Sequence, residues 1–591
     1  MAPICLFILS FFMPLGAFGS EGSEAVVTLP PVEFTGKASF ETLNQNSFIP
    51  SSFSQYSSDR NTALQGFKWE TPYSLQDYGT LSGPSGVNVG GRSIEDTQVT
   101  TLGVPLNYPQ GGGADFSALP SFLWDHAVVT PTTSSAGFAP GAASGHVEFI
   151  PWTRARLLDR KNQNELSRAT GSYDVDSQSF SLGTRHDRFA LLAGASTGRL
   201  DGISGSMSVM VHQNESHQML AHLIGTDTKA ESPGSLHYPT PQTKLRTARI
   251  IPVVESDFRF DKNLEVQSTV FADLSKFEYQ NPNQVSAPTR TTQYGLENAL
   301  IFGSDTLAFS TRFIQFRGSL FGDLHEWPAY LGVTHEFLLP KFSSLKVTAD
   351  GTALAGTGIH PGGRLSLRSG ESEKTYAFYE FNTIAKMPSL IDRFGVYPAN
   401  PNFPTYHGNP NLSPERVYAL LLGFRLDDGE LMNTETVKFE YRKNILISTA
   451  DYNSMMNAGD AYLISLNNEF QKTIFKGFSF HSNTLLTYSR LRSSTFGYPD
   501  VPLISEVAGV QSKLSELILL ATHARLIGIS TASGGGVHPA YALFDAETNL
   551  SFSNTIHLKL GIDNLFDSLA QAKLDYPLPG RRFFASFSAE L

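Results

Sequence analysis

The sequence predicts an all-β protein in two parts, and three observations predict it. The stretch Gly83–Pro151 carries short apolar runs, Val87–Val89, Val104–Leu106, Ala127–Val129 and Val147–Ile150, separated by Gly, Pro, Asn and Ser clusters. That is how a small sheet with tight turns is written. From Arg154 onward, apolar and polar residues alternate with a period of two in segment after segment. Past the N-terminus no run of 18 apolar residues occurs, and the longest candidate, Leu517–Ile529, contains His523 and Arg525. Without spanning helices, such a chain crosses a membrane only as a closed barrel, where every backbone group finds a partner.

Composition narrows the function. The net charge of −11 argues against a nucleic-acid partner, which needs clustered Lys and Arg. The 12% aromatic content suits a long series of strands with aromatic belts. The one cysteine is Cys5, inside the first apolar run, so a chain that loses this segment has no disulfide, zinc-thiolate site or cysteine nucleophile.

Residues 1–19 form an apolar stretch ending in Ala17-Phe18-Gly19, a small-x-small pattern. It reads as a secretory signal peptide, too short and too broken by Pro14 to be a spanning anchor. Next comes Glu24-Ala25-Val26-Val27-Thr28-Leu29, a β-prone segment before Pro30-Pro31 that can add as a strand to a partner's sheet edge. Residues 20–40 form this segment and a linker, 41–153 the small sheet domain, and 154–591 the alternating part. In that last part Met207, Val209 and Val211 alternate with Ser206, Ser208 and His212, and Val266, Val270 and Leu274 alternate with Gln267, Thr269 and Asp273. Alternation fits a soluble sandwich or an inverted membrane barrel equally well. At roughly 10 residues per spanning strand and a similar amount of connection, 155–591 holds about 22 strands, the size of barrels with a plugged lumen.

The choice between the two comes from a resemblance. Gly103-Val104-Pro105-Leu106-Asn107, Asp115-Phe116-Ser117-Ala118-Leu119-Pro120, the Gly-rich Ala139–Gly145 and Val147-Glu148-Phe149-Ile150 follow one another in the order and spacing of the plug domain of TonB-dependent outer-membrane receptors. Lys386–Leu390 with Gly408–Glu415 resembles that family's "R-A-P-S-L…GNPNL-PE" stretch, and Leu560–Asp567 with Pro579–Arg582 its "V-NLFD…PGR" close. The resemblance implies an antiparallel transmembrane β-barrel in the cell outer membrane, about 22 strands with the N-terminal domain in the lumen. It implies a monomer, in contact with outer-membrane lipid, that binds a small-molecule ligand such as a metal chelate, siderophore or cobalamin. It further implies import driven by TonB with the ExbB/ExbD complex, through Glu24–Leu29 as the TonB box. Two departures stand out. The family's Asp-Gly turn is Leu102-Gly103, and its "E-x-x-RGP" stretch, which carries plug–wall charges, is Val128–Thr133. They imply a plug seated by hydrogen bonds rather than buried charges, and leave a second reading open: a passive or gated porin whose plug no longer couples to TonB.

Nothing points to an enzyme or a cofactor: there is no nucleophile elbow, zinc helix or P-loop. Leu426-Asp427-Asp428-Gly429 reads as a hairpin turn before a calcium site. By the resemblance, ligand contacts fall on plug apices and outer loops: Tyr108 and Gln110 in one apex, Phe138 in the other, and Tyr397, Asn400, Tyr406 and His407 in an outer loop. Their aromatic and amide groups suit a flat, partly apolar chelate. Tyr108 and Phe138 serve equally well as plug packing.

Overall fold

The computed structural model describes residues 51–53, 67, 71–77, 85–89, 94–108, 113–119, 123–130 and 145–153. It also describes most of 165–590, leaving out 172–174, 232–242, 281–287, 398–405, 449–453, 493–499, 532–535 and some shorter stretches. Ala38–Leu591 is one compact unit. The signal-peptide and TonB-box expectations lie outside the described residues, as do Gln110, Phe138 and Asn400.

The N-terminal part is a five-stranded sheet in the order Ser51–Phe53, Trp124–Thr130, Gly145–Pro151, Thr97–Thr101 and Val104–Pro105. Thr97–Thr101 and Gly145–Pro151 run parallel, the other neighbours antiparallel. A separate ribbon pairs Ser74–Asp77 with Ser85–Asn88. The apolar runs read from the sequence face a common core, in which Phe67, Phe116, Phe149 and Trp124 meet with ring centroids 5.1–5.8 Å apart. Edge-to-face contact of this kind adds about 0.5–1.5 kcal/mol per pair beyond area burial.

The rest closes on itself as a barrel, the last strand, Arg582–Glu590, pairing antiparallel with the first, Glu165–Gly171. It has 22 strands, because Gly322–Glu326 and Ala329–Leu339 both pair with Asp305–Gly318 and are halves of one strand interrupted at Trp327-Pro328. Pro328 has no N–H for the ladder, so the break falls there. Side chains alternate as the sequence predicts. In Leu264–Gln280, Gln267, Thr269 and Asp273 are buried inside while Val270 and Leu274 stand exposed outside. Exposed Ile250, Leu300, Phe309, Leu331, Phe381 and Leu466 continue the outer band around the ring. So much exposed apolar surface is stable only against lipid.

The two ends differ. Connections such as 303–304, 428–430 and 476–477 are tight turns, with Gly303, Gly429 and Gly477 at positive φ. The Asp427–Gly429 stretch is one of them, its Asp428 carboxylate accepting from Leu431 N–H at 2.7 Å. At the opposite end, 387–414, 444–459 and 564–581 are long. Short turns face the periplasm and long loops the exterior, which fixes the outer mouth.

Several glycines sit directly across from aromatic rings on the inner or outer wall. A Cβ built on Gly423 would lie 2.0 Å from the Phe378 ring, its cross-strand partner. Gly423→Val is therefore expected to cost about 1–3 kcal/mol through overpacking, read as a lower heat-unfolding temperature of the barrel, with Phe378→Ala restoring part of the loss.

Candidate functional site

The N-terminal sheet touches inward side chains on strands spread around the ring, so it lies in the bore. Its core is continuous with Ile224, Ile251, Val253, Phe271, Ala308, Tyr330 and Leu485 of the wall. Three wall arginines make the largest of the polar contacts. Each stands at an inward position of an alternating strand, where a long side chain has nowhere to go but the lumen.

Arg249 grips the turn region. Its guanidinium pairs with Asp273 of the neighbouring strand at 2.5 and 2.9 Å and donates to the carbonyls of Pro105 and Leu106 at 2.8 and 2.9 Å. The Gln293 amide donates to the same Asp273 Oδ2 that Arg249 Nη2 holds, at 3.0 Å. Arg525 does the same to Thr71 and Tyr73, whose carbonyls accept at 2.8 and 2.6 Å. The planar fork of arginine suits two carbonyls at once.

Arg442 meets a side chain instead. Its Nη1 donates to Asp96 of the plug at 2.7 Å and to Glu415 at 3.2 Å, and its Nε contacts Glu440. Lys386 also contacts Asp96, and Lys438 pairs with Glu440 at 2.7 Å. Three carboxylates and three cations balance in a buried cluster near the outer mouth. This corrects the expectation of a plug held by hydrogen bonds alone. The 128–133 stretch indeed carries no charge, but Asp96 supplies one from elsewhere, as a plug acid against wall bases.

The Leu102-Gly103 departure also resolves. Thr101 pairs with Val104, so Leu102 and Gly103 are the two central residues of a tight turn, with φ of 51° and 76°. That geometry favours Asn or Asp followed by Gly, and Leu in it costs roughly 1–2 kcal/mol. Leu102 is buried in the plug core, and that burial offsets the strain. Any L side chain at Gly103 would be strained by its φ of 76°, and a Cβ there would also push on the Glu297 carboxylate, 2.9 Å away.

Of the residues expected to contact ligand, Tyr108 is half-buried against the wall, 5.9 Å from Phe277 edge to face and under the Arg249 guanidinium. Its backbone N–H closes the apex loop on Gly113 at 2.8 Å. Tyr397 and Tyr406 are cross-strand partners in a small hairpin of the 387–414 loop, with Val396 opposite His407. The hairpin follows a short helix, Leu390–Phe394, capped by Ser389 and Asp392 in a reciprocal box. Leu390 packs on Ile314 and Phe316 inside the barrel, and Arg393 pairs with Glu326. The loop is thus folded down into the mouth. Asn409 and Asn457 tie it to the 444–459 loop through Met455 and Ser413. The structure brings Tyr406 and His407 together at this rim and sets Tyr108 apart, on the plug.

Two further features were hidden in the sequence. Ser208, His222 and Glu255 form a line at 2.7 and 3.3 Å, with the order of a hydrolase triad. Ser208 is wholly buried and also bonded to Thr153 at 2.7 Å, so its hydroxyl joins the end of the plug to the wall and meets no substrate. His146, in the plug, is lowered to about 3 by burial and by the Arg364 charge, and its ring bonds Thr100 at 2.8 Å. Between pH 6.5 and 3 the unfolded plug takes up a proton that the native one refuses, so stability is full above pH 6.5 and falls with acid. His146→Gln is expected to flatten that part of the pH dependence of plug hydrogen exchange.

No protein-family model matches the sequence, and no curated protein matches it. Solved structures do match in shape. The siderophore receptor PirA from Acinetobacter baumannii superposes with a TM-score of 0.75 at 12% identity, covering 94% of this chain and 100% of that one. The copper transporter OprC gives 0.74 at 13%, covering 90% and 97%. The ferric enterobactin receptor PfeA from Pseudomonas aeruginosa gives 0.70 at 14%, covering 93% and 95%. At such identities the likeness is one of fold: this chain is an outer-membrane β-barrel of 22 strands with its N-terminal sheet plugging the bore.

Proposed function

We propose that the protein is an outer-membrane receptor importing a scarce small ligand, a metal chelate such as a ferric siderophore or a cobalamin, by TonB-coupled active transport. The observation that carries this reading is a folded domain filling the bore through a few separable polar contacts, Arg249, Arg525 and the Asp96 cluster. A passive pore has no use for so complete a stopper. Ligand would meet Tyr406 and His407 at the rim, with Tyr397 and Asn400 in the same loop and Tyr108, Gln110 and Phe138 on the plug below. Glu24–Leu29 would then add as a strand to TonB, energised by ExbB/ExbD, and the pull would loosen the plug. The chemistry asked of the protein is binding and release, not turnover.

Deleting Glu24–Leu29 is expected to reduce uptake to background while surface binding stays within twofold. Uptake that survives the deletion rejects the coupling. The porin reading draws on the missing charges of the 128–133 stretch and on Leu102 in the turn, and planar-bilayer recording decides it: a porin conducts with its plug in place, a receptor only once the plug is removed.

A further inference from the structure

One row of inward positions crosses four neighbouring strands and has no part in the plug contacts or the rim. His481 of Phe478–Leu491 stands opposite Gly509 of Ile504–Lys513, and Gly509 opposite His523 of Ile518–Ile527. His523 in turn stands opposite Asp545 of Tyr541–Ser551. All four face the bore. Leu485, on the same face of its strand as His481, joins the core shared with the plug, and Arg525, on the face of His523, reaches the plug backbone. Gly509 and Asp545 are buried on that side too. The sequence thus sets two imidazoles on either side of a position that has no side chain, their strands roughly 10 Å apart.

The two rings close over that gap. Their centroids are 5.6 Å apart and the planes are inclined at 48°, so the rings are tilted rather than stacked. The point that a Cβ on Gly509 would occupy lies 2.5 Å from His481 Nε2 and 2.9 Å from His523 Nδ1. Metal–imidazole bonds are about 2.0–2.1 Å long, so an ion near that point reaches both nitrogens after small ring rotations. A plainer use for such a glycine is to make room for one ring, as Gly423 does for Phe378. That does not account for a second imidazole turning its nitrogen to the same point. Other histidines inside the barrel are engaged differently, His146 with Thr100 and His222 with Ser208 and Glu255. Among the described residues His481 makes no hydrogen bond.

We propose that His481 Nε2 and His523 Nδ1 bind one divalent transition-metal ion over Gly509. Two imidazoles select Cu2+, Ni2+ or Zn2+ over Ca2+ and Mg2+, which take oxygen ligands. Asp545 lends negative charge beside His523 while its Oδ1 accepts the Asn564 N–H at 2.7 Å. Among the described residues no three such side chains converge on one point. Water therefore completes the coordination, and the site is an open, exchangeable one. His523 lies two residues nearer the periplasmic 514–517 turn than Arg525, which holds Thr71 and Tyr73. An ion freed in the bore would be held here, below the plug's grip on this part of the wall. That role rests on the import reading; the site itself does not, and its test reads binding alone.

The test is titration of full-length, untagged protein in detergent with Cu2+ alone, followed by electron paramagnetic resonance. One equivalent per chain is expected, its spectrum split by two imidazole nitrogens. His481→Gln and His523→Gln are each expected to weaken binding by at least about tenfold, since loss of even an outer-sphere partner costs that much. Gly509→Ala should weaken it similarly with both imidazoles kept, because the methyl group takes the place of the ion. His557→Gln, which changes an inward histidine bonded to Ser551, should leave binding as it is. Heat-modifiable gel mobility reports folding, and if the variants do not fold, the nitrogen count of the wild-type spectrum decides alone. A wild-type spectrum with fewer than two nitrogens overturns the proposal, and so does equal binding by the wild type and a folded His481→Gln.

Discussion

Replacing Arg442 by Met is expected to unseat the plug. The substitution keeps an unbranched side chain and its packing but leaves Asp96, Glu415 and Glu440 facing only Lys386 and Lys438. All of these groups are buried, and stranding one charge of a buried pair typically costs about 3–5 kcal/mol. Among the described residues Asp96 is the only plug residue in the cluster, so the penalty falls on seating of the plug and much less on closure of the barrel. The open fraction should rise by roughly two to three orders of magnitude, visible as faster hydrogen exchange across Thr97–Thr101 and as bursts of conductance in planar bilayers. Adding Asp96→Asn should recover most of the loss, because it removes the surplus acid. Exchange in Arg442→Met equal to that of the wild type would mean that the ion contact does not hold the plug.

That contact shows where the sequence is readable and where it is not. Alternation placed Gln267, Thr269 and Asp273 inside and Val270 and Leu274 outside, because one face of every strand must meet lipid and a register slip would turn all of them over. The Asp427–Gly429 turn was equally local. Asp96 is different. It lies 346 residues from Arg442, in a stretch with no pattern of its own, and only the closure of the barrel brings the two together. A usable signal was present nonetheless: Arg249, Arg442 and Arg525 each interrupt the inward face of a strand with a charge that must find a partner in the lumen. Ligand contacts were least legible, since they belong to loops whose positions depend on what they fold against, as Arg393 on Glu326 and Leu390 on Phe316 show.

Arg249→Met should have a comparable cost by a different route. The loss orphans the Pro105 and Leu106 carbonyls on the plug side and leaves Asp273 with the Gln293 amide and the charge of Arg312 on the wall side. Buried unsatisfied acceptors cost about 1–3 kcal/mol each and a stranded carboxylate more. Arg249→Lys separates the two halves: an ammonium still neutralises Asp273 but cannot serve both carbonyls, so about half the loss should remain. Pairing Arg249→Met with Asp273→Asn should then restore the barrel's heat stability without restoring the slow exchange of the Val104–Pro105 edge. The carbonyls stay orphaned whatever becomes of the charge. If the double variant restores both, the grip on the plug backbone contributes nothing and Arg249 serves the wall alone.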